Sequence, residues 1–198
     1  VRSRRQRQMC IRDRDWDDLL KPGIEVVTPN PGSSGSAKWN LLAPFAAKSN
    51  GGQDLDAGLD YISALVRDHI KVQPKSGREA TTAFEQGQGD VLISYENEAI
   101  MLDRANATAA PDAQVDYVIP PQTFKIENPV AIVNTTKDKA GAQAFLNYLF
   151  TDQAQRIWAQ QGFRPVVPAV IAATEGLFPG HFDKAWTIKE LGKVLGQG

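Results

Sequence analysis

Two short runs of this sequence carry residue types that could do chemistry. Ser34-Gly35-Ser36, inside TPNPGSSGSAKWNLL (residues 28–42), and Ser76-Gly77-Arg78 each stand directly before a stretch of helical spacing. A helix start offers unpaired backbone N–H groups and a partial positive charge of roughly half a unit. Serine can cap that start or donate its hydroxyl to a ligand, and glycine lets the backbone approach the ligand closely. Together they make an anion site that needs no lysine or arginine. The plainer reading is that each turn is a helix cap and nothing more. For either turn alone the cap is favoured. Two such turns in one domain leave cap and anion site in balance.

Other arrangements offer less. GSSGS (residues 32–36) lacks the last glycine of the Gly-x-Ser-x-Gly elbow, and neither His69 nor His181 stands in a triad context. A serine esterase or phosphatase using Ser34 is nevertheless the rival from a different class. The ENE run (96–98) pairs carboxylates without the histidines or aspartates of a metal site. GQGDV (87–91) puts its glycines before a strand, whereas a phosphate loop has them between strand and helix. Trp39 and Trp158 lie at helix-face spacing and are read as core. Arg164, in GFRPV, is read as a surface residue, with a place in a hinge or cleft as the alternative.

These residues must be positioned by elements, and the apolar pattern supplies an alternating set. GIEVVTP (23–29) reads as a strand, and a helix follows from Ser36, with Pro44 expected to bend or break it. Leu55, Leu59, Ile62, Val66 and His69 mark the apolar face of a second helix. DVLISY (90–95), VDYVIP (115–120) and PVAIVN (129–134) read as strands, and ENEAIMLDRAN as helix. KDKAGAQAFLNYLFT and DQAQRIWAQQ are two further helices, the second stopped by Gly162, and helix returns at IKELGKVL. Strands alternating with helices imply an α/β fold with a largely parallel, doubly covered sheet.

Charge and cysteine use narrow the classes. The chain of 198 residues has 22 basic and 23 acidic side chains, a net charge of −1. Six of the arginines fall in residues 1–14, VRSRRQRQMCIRDR, with one aspartate and no apolar segment. Residues 4–14 match one reading frame of a transposase-type sequencing adapter, and the segment is taken as an adapter-derived artefact rather than a basic arm. Without it, 16 basic and 22 acidic residues remain, and the net charge is −6. Nucleic-acid binding is then not expected. The single cysteine, Cys10, also lies in this segment, so no disulfide or thiolate site is expected. No run reaches the ~18 apolar residues of a membrane helix. Asp15 onward reads as mid-chain sequence.

Several stretches carry a resemblance. VVTPNPGSSGSAKWN, SGREATTAF, GQGDVLISYENEAI, KAGAQAFLNYLFTDQAQ and GFRPV, in this order, resemble the periplasmic sulfate-binding proteins of ATP-driven sulfate and thiosulfate importers. The resemblance runs from about Asp15 to the C-terminus. It implies a two-lobed, type II periplasmic-binding-protein-like fold with the first lobe largely missing. Residues 15–93 would belong to the second lobe, 94–150 would return to the first, and 151–198 would follow as a helical segment. Poor solubility is expected of such a piece.

The resemblance also implies a site made only of neutral donors. Ser34 would give a hydroxyl, Gly35 and Ser36 backbone N–H groups, and Gly77 or Arg78 another N–H. The family has a tryptophan donor where this chain has Tyr95, whose phenol can also accept. Ser36 replaces a usual glycine. A site lined with donors suits sulfate, which has no proton to give, over hydrogen phosphate, whose proton would lack an acceptor. Glu96 would disturb this if it faced the cleft; alternation along a strand turns it away from Tyr95. The implied protein is a non-catalytic receptor without a cofactor. It would be monomeric, periplasmic or lipid-anchored, and would deliver sulfate or thiosulfate to the permease subunits of an importer. Phosphate or molybdate is the alternative ligand.

Overall fold

The computed structural model describes residues 15–108 and 115–196. The adapter reading of residues 1–14, and Cys10 with it, lies outside them.

The α/β expectation is met. β1 (Val26–Val27) is the centre of a three-stranded parallel sheet, flanked by β2 (Ile70–Val72) and β3 (Val91–Leu92). Both valines of β1 are fully buried, as a central parallel strand covered on two faces requires. The extended backbone continues past the short ladder. Thr28 N–H donates to the Val72 carbonyl at 3.3 Å, and Ile93 N–H to the Val27 carbonyl at 3.1 Å.

Between β1 and β2 the chain forms α1 (Gly35–Lys48), α2 (Leu55–Ala64) and one π-helical turn (Leu65–His69). α3 (Gly77–Glu85) joins β2 to β3, and α4 (Glu96–Asn106) follows β3. α1 runs unbroken through Pro44, so of the two outcomes expected there, a bend or a break, the break does not occur. Pro44 is fully buried, and Ala43 and Ala46 beside it pack in the main core. Tertiary burial holds both halves of the helix in place across the missing N–H.

The amphipathic face assigned to the second helix is corrected in part: Ile62 packs on the core and His69 is buried as expected, but Leu55, Leu59 and Val66 are not. Gly58, Tyr61, Leu65 and His69 are the buried positions, whereas Leu55, Leu59 and Val66 are 44%, 56% and 40% exposed. Gly58 explains the rotation. A Cβ there would stand 2.8 Å from Phe45 and Ser49, so glycine lets α2 press its backbone against α1. Tyr61 on this face donates its hydroxyl to the Trp16 carbonyl, and burial raises its pKa well above the usual phenol value.

The second half of the chain contributes β4 (Gln122–Phe124) and β5 (Lys184–Trp186), paired in parallel. Its helices are α5 (Lys139–Leu149), α6 (Asp152–Gln160), α7 (Pro168–Thr174) and α8 (Ile188–Val194). β4 packs on α1, with the Trp39 and Phe124 rings 5.4 Å apart, so Trp39 serves the core as expected. Trp158 does not; it is 42% exposed and meets Phe163 edge-on. Gly162, at φ 81°, ends α6 as expected. The strands expected at 115–120 and 129–134 are absent: both stretches are irregular, and the strand nearby is 122–124. A strand exists only beside a neighbour that completes its ladder, and among the described residues none pairs with either stretch. Val118, Val130 and Val133 are accordingly exposed. Among the described residues no helix is long and apolar enough to cross a membrane.

Candidate functional site

Three loops leave the same edge of the parallel sheet, the edge outside the strand C-termini where open α/β sheets bind ligands. They are 28–34 after β1, 73–76 after β2 and 93–95 after β3. Asn30 N–H donates to the Pro74 carbonyl at 2.8 Å, and Ser33 Oγ to the Lys75 carbonyl at 2.9 Å, joining the two Ser-Gly turns. Asn40, buried on α1, donates its side-chain amide to Thr28 Oγ1 at 3.1 Å and to the Ile93 carbonyl at 2.8 Å. It thereby ties the first loop to the third.

The two Ser-Gly turns are alike in sequence and differ in use. Ser76 is a working cap: its Oγ accepts from Glu79 N–H at 3.2 Å. Ser34 occupies the N-cap of α1 and makes no side-chain cap bond. Its Oγ lies 2.8 Å from Ser36 Oγ instead. The first-turn N–H groups of each helix, at Gly35 and Ser36 and at Gly77 and Arg78, have no acceptor within their own helix.

The turns converge. A Cβ on Gly77 would stand 3.2 Å from Ser36 Oγ and 3.7 Å from Glu98 Oε1. Ser34, Ser36 and Gly77 therefore face one half-buried space. The Arg78 side chain is exposed and lines a shallow depression with Val72, Glu79 and Thr82 instead. Tyr95 is the N-cap of α4, half-buried, and its side chain makes no cap bond. Burial first, and the Glu98 carboxylate second, raise its pKa above the usual phenol value, so it stays a neutral donor through the physiological range.

The carboxylate beside this space is Glu98, not Glu96. Ser94 Oγ donates to Glu98 Oε2, four residues on. Glu96 begins the helix rather than extending the strand, and it is held by Arg164 through two bonds of 2.7 Å. Strand alternation placed Glu96 for the wrong reason, since the chain turns helical at this residue. Glu98 was missed; its signal is that it stands one helical turn after Ser94. Arg164 is exposed, as the surface reading has it, and its guanidinium is paired there with Glu96, whose hydrogen bonds raise its pKa.

Neither histidine is paired with Ser34. His69 is buried with Nδ1 3.0 Å from the Ile24 carbonyl, and His181 is exposed in an irregular segment. Among the described residues no group of three or more histidine, cysteine, aspartate or glutamate side chains could hold a metal.

Known proteins resemble this chain along most of its length. A family described as bacterial extracellular solute-binding protein matches residues 6–164. The sulfate-binding protein of Synechococcus elongatus is 39% identical over 159 residues, 78% of this chain and 43% of that protein. The thiosulfate-binding protein of Pseudomonas aeruginosa is 36% identical over 171 residues, 84% of this chain and 50% of its own length. The solved structure of the sulfate-binding protein SubI from Mycobacterium tuberculosis H37Rv superposes with a TM-score of 0.80 at 60% identity, covering 90% of this chain and 60% of that one. The chain thus spans about half the length of the curated relatives it matches. With helix starts gathered at one edge of a parallel sheet and relatives of this kind along most of its length, the chain belongs to the bacterial extracellular solute-binding protein family.

Proposed function

We propose that this chain is part of an extracytoplasmic binding protein that captures sulfate or thiosulfate and delivers it to the membrane subunits of an ATP-driven importer. The observation that carries the reading is Ser34. It stands at a helix N-cap yet its hydroxyl caps no backbone N–H; it meets only the Ser36 hydroxyl, a contact that leaves each oxygen able to bond a ligand as well. Gly35, Ser36 and either Gly77 or Arg78 would add backbone N–H groups, and Tyr95 a phenol. Relatives named for sulfate and thiosulfate binding support the same ligand class.

The anion would be held by hydrogen-bond donors and helix ends rather than by a counter-charge, in keeping with the acidic composition. Residues 15–93 would form the ligand-holding lobe, 94–150 would return to the other lobe, and 151–198 would follow as the C-terminal helical segment. Closure of the two lobes would be the signal read by the importer. The protein would act without turnover, as a monomer, free in the periplasm or lipid-anchored.

One observation favours a second ligand. The Glu98 carboxylate near Gly77 could accept the proton of hydrogen phosphate. Calorimetric titration with sulfate, thiosulfate, phosphate and molybdate separates the two. Tight uptake of sulfate or thiosulfate alone is expected; preference for phosphate sinks the sulfate reading. Ser34→Ala should weaken sulfate binding by about 1–3 kcal/mol. Ester hydrolysis abolished by the same change would instead make the protein an enzyme.

A further inference from the structure

The turn 160–164 is fastened to α4 at three points, two in the first turn of the helix and one in its last. Arg164 Nε and Nη2 each donate to Glu96 at 2.7 Å, a two-pronged grip on the first residue of the helix. Gly162 lies so close that a Cβ would stand 2.9 Å from Asn97 Cα and 3.1 Å from its carbonyl oxygen. Arg104 Nη1 reaches back to the Gln160 carbonyl at 2.8 Å. The Arg164 guanidinium is itself braced: it donates to the Gly180 carbonyl at 3.3 Å and lies 5.1 Å and 5.3 Å from the Phe178 and Phe182 ring centres. Planar stacking and a forked donor set are what arginine offers and lysine does not.

The residue just before Glu96 is Tyr95, the candidate phenol donor. The first turn of α4 carries two carboxylates, Glu98 near Gly77 and, one residue from Tyr95, Glu96. A free charge at Glu96 would repel the anion. We propose that Arg164 is a positioning residue for the anion site. It fixes the start of α4, and hence Tyr95, and cancels the Glu96 charge next to it, without touching the ligand. The proposal deepens the sulfate reading above and rests on it for the identity of the anion.

The test compares the chain with Arg164→Met, Arg164→Lys, and Arg164→Met combined with Glu96→Gln. Backbone amide exchange is first read without ligand. Arg164→Met is expected to speed exchange at Ala99–Leu102, the first hydrogen-bonded amides of α4, by about tenfold, with Trp39–Leu42 of α1 and Ala80–Ala83 of α3 unchanged. Arg164→Lys, which keeps the charge and loses the fork, should fall between. Sulfate affinity should drop about tenfold in Arg164→Met and recover in part when Glu96→Gln removes the stranded carboxylate. Exchange that is unchanged at 99–102, or faster everywhere, overturns the proposal, as does a double variant no better than the single one. A parent chain that takes up no sulfate would sink the sulfate reading, while the ligand-free exchange still decides whether Arg164 holds Tyr95. Should Arg164→Met not fold, Arg164→Lys decides the question by the same local comparison.

Discussion

The side-chain amide of Asn40 donates to the Ile93 carbonyl at 2.8 Å, across 53 residues of sequence. The same nitrogen meets Thr28 Oγ1, so one buried amide binds the loop after β1 to the loop after β3. Ser34 and Tyr95 are the last residues of these two loops.

Asn40→Ala is therefore expected to destabilise the chain by about 1–3 kcal/mol, because Thr28 and the Ile93 carbonyl would be left buried with a lost donor. Urea unfolding measures it. If Asn40→Ala unfolds at the parent's midpoint, the amide is not holding the loops.

The core face of α2 makes a sharper contrast. Leu65 is fully buried and Leu59 is 56% exposed. Leu65→Ala should cost about 2–5 kcal/mol, and Leu59→Gln no more than about 0.5 kcal/mol. Equal losses in thermal or urea unfolding would restore the face read from periodicity.

Tyr95 should ionise later than an ordinary tyrosine, chiefly because it is buried and secondarily because Glu98 is near. The folded state then favours the protonated phenol. This contribution to stability is complete below the ordinary value of 10.0 and is lost as pH rises through the raised folded value. An ultraviolet pH titration against Tyr95→Phe isolates this step. Glu98→Gln should bring it only partly back, since burial is the larger cause.

At the other end of the range, Glu190 governs the start of α8. Its bonds to Lys184 Nζ and then to Thr187 lower its pKa from 4.5 to about 2. A depressed carboxylate stabilises the fold above its unfolded value and ceases to as pH falls through the folded one. The β5–α8 corner should loosen between pH 4.5 and about 2, as followed by amide exchange at 187–191, and Glu190→Gln should remove the pH dependence there.

What the sequence determined alone is what a few neighbouring residues can settle. The starts of α1 and α3 at their Ser-Gly turns and the stop at Gly162 are decided within three or four positions, by backbone N–H groups and left-handed glycine. The alternation of strand and helix around β1 and β3 is equally local. Tertiary structure decided the rest, because it depends on what lies opposite. Gly58 against Phe45 chose the buried face of α2, and nothing in the spacing of leucines records that contact. Arg164 found Glu96 across 68 residues. The valines of 115–134 have strand character and no strand, since a ladder needs a second chain segment. Ser34 and Ser76 read alike, yet only Ser76 caps; Ser34 is turned to Ser36, which the fold brings opposite Gly77. The candidate donors were legible one by one, and only the resemblance grouped them; spacing could not, because three loops meet only once the parallel sheet has aligned the ends of its strands.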